Sequence, residues 1–121
     1  MSSTSRHHLN AAVLCGTITD EPTLRSLPAG TSVAQFDVAI RRTDDAVVES
    51  VPVAWYEPSP GELAPLAAGL EVVVVGRVRR RFFRSGGATQ SRTEVVADRC
   101  VPARRAKTVR SLLAAVADAL S

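Results

Sequence analysis

The chain has 121 residues, of which 45% are hydrophobic, and its 15 Lys and Arg against 12 Asp and Glu give a net charge of +3 at pH 7. This composition predicts one globular domain and excludes a disordered chain. No apolar run approaches the ~18 residues of a membrane span, and the N-terminus lacks a hydrophobic signal core. We therefore expect a cytoplasmic protein with no membrane partner.

The charge is unevenly distributed along the chain. Residues 1–76 sum to −5, whereas residues 77–110 contain eleven Lys and Arg against two acids and sum to +9. Such an asymmetry indicates that the C-terminal half binds a polyanion.

The cysteines and histidines give no metal-binding pattern. Cys15 and Cys100 lie far apart, so we expect buried free thiols, although their places in the first and last predicted strands leave a disulfide open. The only histidines, His7 and His8, belong to a polar lead over residues 1–8. We predict a disordered, solvated tail there and no metal site.

The first two strands are predicted from apolar alternation. Residues 10–19 form a strand in which Gly16 indicates a sharp bend or a close backbone approach. Residues 34–41 alternate apolar and polar side chains and form the second strand.

A third strand is predicted over residues 47–56. By parity Trp55 points into the core and Tyr56 is an exposed ring. Pro52 lacks an N–H donor, so it indicates that the strand is bulged or near an edge there.

The second half of the chain predicts a helix and then two more strands. Residues 62–68 form a short helix, residues 71–84 a fourth strand, residues 85–87 a hairpin turn, and residues 91–101 a fifth strand. Three strands, a short helix and two strands is the element order of an OB-fold. We therefore predict an all-β protein, a five-stranded Greek-key barrel with a short helix between strands 3 and 4.

The fourth strand carries the strongest functional signal. Arg77, Arg79, Arg81 and Phe83 fall on one face of an extended chain, and Arg80 on the other. Cations that neutralise phosphates, interleaved with rings that stack on unpaired bases, are typical of a groove for single-stranded nucleic acid. A solvated basic hairpin arm is the alternative interpretation.

Several segments also follow a recognisable order and spacing. They are Asn10 to Gly16 (NAAVLCG), Glu21 to Arg25 (EPTLR), Pro28 to Gly30 (PAG), Val33 to Ala39 (VAQFDVA), Leu66 to Gly69 (LAAG), Val72 to Arg77 (VVVVGR) and Thr93 to Val96 (TEVV). Together they cover roughly residues 9–101, and they resemble the bacterial single-stranded DNA-binding protein family.

The resemblance implies an OB-fold that forms dimers and commonly tetramers, with single-stranded DNA held on its surface by basic groups and stacking rings. Two ring positions of the family fall on Tyr56 and Phe83. Two others fall on Asp44 and Ser50, where the family typically has tryptophan, so we expect weaker and more salt-sensitive binding. The predicted nucleic-acid-binding residues are Tyr56, Arg77, Arg79, Arg81, Phe83, Arg84, Arg92 and Arg41.

Residues 103–120 predict a C-terminal α-helix. Its apolar stripe consists of Val109, Leu112, Leu113, Val116 and Leu120. The family usually continues instead into a Gly/Pro/Gln-rich linker and an acidic tip, so we expect a short paralogue that lacks both. The alternatives for this helix are packing on its own barrel, oligomerisation or binding of a partner. Extension of the DNA path by its basic start is a further open interpretation. The domain division is then a tail over 1–8, an OB-fold domain over 9–102 and a helix over 103–121.

Sequence-independent binding of single-stranded DNA in replication, recombination or repair is the leading functional hypothesis. The alternative is an OB-fold assembly module, like a primosome accessory protein, with weak nucleic-acid binding. RNA as a ligand stays open, since stacking does not exclude a 2′-hydroxyl. No acid/base pair or phosphate-cradling loop is recognisable, so we predict neither an enzyme, nor a cofactor, nor a small-molecule substrate.

Overall fold

The computed structural model describes residues 8–43 and 46–121. The tail predicted for residues 1–8 therefore lies almost wholly outside the described residues, as does Asp44 at one of the substituted ring positions. The elements are β1 Ala12–Ile18, β2 Thr23–Ser26, β3 Ser32–Arg41, β4 Val48–Tyr56, α1 Pro60–Leu63, β5 Glu71–Ser85, β6 Ala88–Pro102 and α2 Ala106–Leu120.

The strands form one sheet in the order β1-β5-β6-β4-β3-β2, and an additional pairing of β1 with β3 closes it into a ring. The β4–β6 pairing is parallel and the others are antiparallel. This confirms the OB-fold prediction, with β2 as an addition. The strand β2 was missed because its four residues are all exposed, so no burial pattern marks it in the sequence.

The barrel interior is filled by the side chains that alternation predicted. Phe36 and Val38 of β3, Val53 and Trp55 of β4, and Val74 of β5 are all buried. The prediction that Trp55 is a core residue is confirmed. Burying side chains of this size stabilises the fold by about 1.5–3 kcal/mol each.

Pro52 interrupts neither the strand nor its pairing with β3, where it lies opposite Asp37. The parallel pairing with β6 begins only at Val53. The missing N–H of Pro52 therefore falls where β4 is still an edge strand, as predicted.

Two glycines allow strands to approach closely. A Cβ on Gly16 would collide with the carbonyl oxygen of Ala39, which confirms the close approach predicted there. A Cβ on Gly76 would lie 2.9 Å from Cα of Ala97 and closer still to the carbonyl oxygen of Val96. A register shift between β5 and β6 occurs at this point, so Gly76 marks a bulge in the barrel wall.

Both helices differ from the predicted bounds. The helix α1 has only four residues, and the Ser59 hydroxyl caps it by accepting from the backbone N–H of Glu62. None of the side chains of α2 is buried, and its contact with the barrel is slight. Within the described part of the chain, neither helix is long and apolar enough to span a membrane.

The two cysteines are free and occupy different environments. Cys15 lies opposite Val73 and Cys100 opposite Val74, and neighbouring residues of a strand point to opposite faces of the sheet. The open possibility of a disulfide is therefore excluded in this structure. Cys100 is buried as predicted, and burial raises the pKa of its thiol to about 12. The prediction of a buried thiol is wrong for Cys15, which is exposed.

Candidate nucleic-acid interface

The strands β5 and β6 continue past the barrel as a long hairpin. Its turn is Gly86-Gly87, and both glycines have a positive φ, of 60° and 82°, as a two-residue hairpin turn requires. This turn fixes the register, so that Arg79 lies opposite Glu94 and Phe83 opposite Gln90.

Strand alternation and this register divide the side chains of the hairpin into two faces. We call the first the outer face; it carries Arg77, Arg79, Arg81 and Phe83 of β5, Gln90, Arg92 and Glu94 of β6, and Tyr56 of the neighbouring region of β4. We call the second the reverse face; it carries Arg80, Phe82 and Arg84 of β5 and Thr89, Ser91 and Thr93 of β6.

A buried carboxylate organises the outer face. Glu94 is only 3% exposed, and its Oε2 accepts a short hydrogen bond from Nη2 of Arg79 and lies 3.5 Å from Nε of Arg81. The hydrogen bond to Glu94 raises the pKa of Arg79 above its ordinary value. Two guanidinium groups thus share one carboxylate, which leaves the cluster with a net charge of +1.

The same two arginines retain unused donors. Nε of Arg79 and Nε of Arg81 are buried and make no hydrogen bond with the residues that the structure describes. A buried donor without an acceptor costs about 1–3 kcal/mol, so these two Nε atoms offset part of the stabilisation that Glu94 provides.

Tyr56 is held in place by this cluster. Its hydroxyl accepts a hydrogen bond of 2.7 Å from Nη2 of Arg79, and the guanidinium carbon of Arg79 lies 5.3 Å from the ring centroid. The ring was predicted to be exposed, and in the structure it is half-buried. Just after it, Glu57 adopts a positive φ of 53° and exchanges hydrogen bonds with the backbone of Ser32, which fixes the end of β4.

Each phenylalanine of the hairpin also has an arginine beside it. The guanidinium carbon of Arg81 lies 5.3 Å from the Phe83 centroid, and that of Arg80 lies 5.5 Å from the Phe82 centroid. Phe83 is 37% exposed and Phe82 is 64% exposed. Such pairs contribute about 0.5–1 kcal/mol at exposed sites, and they place a cation next to any base stacked on the ring.

Arg77 lines a cavity of about 570 Å³ together with Tyr56 and Arg79. Its wall also includes the carboxylates of Glu57, Glu62 and Asp98. The carboxylate of Glu57 accepts a hydrogen bond from the backbone N–H of Ser32. The carboxylate of Glu62 forms an ion pair with Nε of Arg99 at 2.8 Å. Arg77 itself is exposed.

The remaining predicted residues lie in different places. Arg92 is on the outer face, 3.8 Å from Asp37 and nearly half exposed. Arg84 lies on the reverse face, where its Nη2 donates to the carbonyl of Gly87. Arg41 lines a separate cavity that includes Cys15. Arg84 and Arg41 thus lie apart from Phe83, and their role in binding nucleic acid stays a prediction.

Glu94 is the residue that sequence reasoning missed, although a signal for it was present. A two-residue turn at Gly86-Gly87 pairs residues whose numbers are equidistant from it, which places Glu94 opposite Arg79. An acid opposite an arginine and diagonal to a second one is a favourable cross-strand set.

The fold and this surface together define the protein as a small β-barrel with a cationic, aromatic hairpin. The sequence profile of the Single-strand binding protein family matches residues 9–102. The chain therefore belongs to the single-strand binding protein family.

Curated relatives agree with this assignment. The chain is 34% identical over 97 residues to "Single-stranded DNA-binding protein 2" of Listeria innocua serovar 6a, a match that covers 74% of this chain and 61% of the relative. It is 35% identical over 97 residues to "Single-stranded DNA-binding protein" of Oceanobacillus iheyensis, covering 74% of this chain and 60% of that one. The chain thus spans about three fifths of the length of these relatives.

Proposed function

We propose that the protein binds single-stranded DNA independently of base sequence. On the outer face, unpaired bases stack on Phe83 and on the accessible part of Tyr56, while Arg77 and the Arg79–Glu94–Arg81 cluster neutralise phosphates. Contacts of this kind read no base identity. The observation that carries the proposal is the row of ring–guanidinium pairs on a barrel of the single-strand binding protein family.

The affinity for single-stranded DNA depends on how many aromatic rings are available for stacking. A stacked base contributes about 1–3 kcal/mol. Ser50 lies exposed on β4 where the resemblance expects a tryptophan, so at least one stacking position contributes no ring. We therefore expect a larger electrostatic share and a weaker affinity than in a protein with every ring present.

The proposal extends to assembly and location. The named relatives are single-stranded DNA-binding proteins, and the resemblance implies a dimer or tetramer, so we propose a homo-oligomer associated with the nucleoid. We propose no catalytic residue and no cofactor. RNA stays the alternative ligand, because stacking on the same rings does not exclude a 2′-hydroxyl.

Fluorescence anisotropy of a labelled oligo-dT of about 35 nucleotides tests this function. The logarithm of the association constant should fall linearly with the logarithm of the salt concentration, with a slope of about −0.7 for each neutralised phosphate. Phe83→Ala should weaken binding roughly 5- to 150-fold, which corresponds to the loss of one stacked base. Leu24→Ala is the matched control, since Leu24 is an exposed apolar side chain on β2 and should leave affinity unchanged.

Competitors decide the ligand class. Excess duplex should fail to displace oligo-dT, and oligo-U should displace it less well than unlabelled oligo-dT. Stacking on unpaired bases is contradicted if duplex DNA competes as well as unlabelled oligo-dT and Phe83→Ala leaves the affinity unchanged.

One observation favours assembly as a second candidate function. The apolar stripe of α2 leaves Leu113 38% and Leu120 58% exposed, and no side chain of the helix is buried. If α2 holds copies together, Leu113→Glu lowers the oligomeric mass measured by light scattering while the barrel stays folded. An unchanged mass would contradict that role.

A further inference from the structure

The hairpin formed by β5 and β6 extends beyond the barrel, and its reverse face is exposed there. The pairing of β1 with β5 ends where Ala12 lies opposite Gly76. The pairing of β4 with β6 is limited to two residues of β4, Val53 and Ala54. From Arg79 to the turn, β5 pairs only with β6. The reverse face continues the parity of the core residues, but beyond Val78 all of its side chains are exposed.

The side-chain amide of Asn10 marks the rim of the barrel. It donates to the carbonyl of Val78 at 2.7 Å and accepts from the N–H of Val78 at 2.9 Å, as a strand residue would. Val78 is already 45% exposed, whereas Val95 opposite it is buried. Everything beyond this point on the reverse face is outside the core.

The reverse face carries a ring between two arginines. Phe82 is 64% exposed, the highest exposure among the large apolar side chains of the described residues. Arg80 and Arg84 flank it at two residues on either side, which is about 7 Å along an extended strand. The cross-strand partners are Thr93, Ser91 and Thr89, and none of them is acidic.

The charge balance therefore differs between the two faces. On the outer face Glu94 offsets one of the arginine charges. On the reverse face Arg80 donates to the Ser91 hydroxyl at 3.3 Å and Arg84 to a backbone carbonyl, so both charges remain without a counterion among the described residues.

We propose that the reverse face is a second binding surface for the same single strand, with a base stacked on Phe82 and phosphates at Arg80 and Arg84. This inference rests on the proposed function, and it means that the strand passes around the hairpin instead of over one face. An exposed ring with flanking cations fits a base with its two phosphates.

A second copy of this chain is a poorer occupant. Two reverse faces related by a two-fold axis would bring four arginines together with no acid between them. That repulsion opposes the apolar gain from burying Phe82.

The direct test places a reporter on each face of the full-length protein. Trp55 is buried and gives a constant background, so Phe82→Trp reports on the reverse face and Phe83→Trp on the outer face. Titration with oligo-dT of about 35 nucleotides should quench both reporters, because stacking on a base occurs at both. Quenching of Phe83→Trp alone overturns the inference and leaves the proposed function intact.

Affinity measurements complete the test. Phe82→Ala should weaken binding about 5- to 150-fold, and adding Phe83→Ala should multiply the two losses, because the rings hold different bases. Replacing both Arg80 and Arg84 by Gln should lower the salt slope by about 1.4. The inference is overturned if Phe82→Ala leaves the affinity unchanged and the double Gln variant leaves the salt slope unchanged. It is also overturned if Phe82→Ala lowers the oligomeric mass of the DNA-free protein, because Phe82 would then lie between copies of the chain. Failure of the wild type to bind any single strand overturns the proposed function itself.

Discussion

Replacing Glu94 by Gln tests the physical basis of the outer face. The substitution keeps the shape of the side chain but removes the anion between Arg79 and Arg81. Breaking a fully buried ion pair costs about 3–5 kcal/mol. The side chains of Arg79 and Arg81 are 30% and 36% exposed, so water compensates part of this loss and we expect about 1–3 kcal/mol.

This free energy converts into a melting temperature. At about 2.1 cal/mol/K per residue, the unfolding entropy of a domain this size gives a shift of about 4 °C for each kcal/mol. Glu94→Gln should therefore lower the Tm by about 4–12 °C in a thermal scan followed by circular dichroism.

The matched control is Glu62→Gln. Glu62 also forms a close ion pair, with Arg99 at 2.8 Å, but the two side chains are 36% and 45% exposed. Exposed pairs contribute about 0.2–1 kcal/mol, so this variant should lose no more than about 4 °C. An equal fall in Tm for the two variants, or no fall for Glu94→Gln, would refute the idea that the buried carboxylate organises the outer face.

Three further predictions follow from single contacts. Gly76→Ala should lower the free energy of unfolding, measured by urea titration, by about 3 kcal/mol, because the added Cβ collides with the backbone of β6. Gly61→Ala is the control and should leave this free energy nearly unchanged, because the space around Gly61 is open. Native protein treated with iodoacetamide should gain one adduct, at Cys15, and a second only after unfolding, as counted by mass spectrometry. Because the pKa of Cys100 is raised from 9.0 to about 12, the unfolded chain releases this proton first, so stability should fall as the pH rises from about 9 to 12. Cys100→Ala should reduce that fall, and an identical pH dependence would exclude the thiol as its cause.

The local pattern of the sequence was sufficient for most of the barrel. Alternation identified the buried residues of β3 and β4, and the Gly86-Gly87 turn identified the hairpin. It did not identify β2, whose exposed residues have no alternation, nor the shortness of α1, where Pro65 follows the last helical turn.

For the candidate nucleic-acid interface, too, some features follow from the sequence and others only from the tertiary structure. The sequence determined which residue types the hairpin carries, since a strand of arginines and phenylalanines places cations and rings on both faces whatever surrounds it. Only the tertiary structure decided which of them act together. Tyr56 meets Arg79 across 23 residues, and Glu94 meets it across 15, because strand order and register bring separate strands side by side. Burial of a carboxylate and exposure of Phe82 depend on where the hairpin leaves the barrel. That point is where β1 and β4 stop pairing with β5 and β6, and the hairpin's own sequence does not set it.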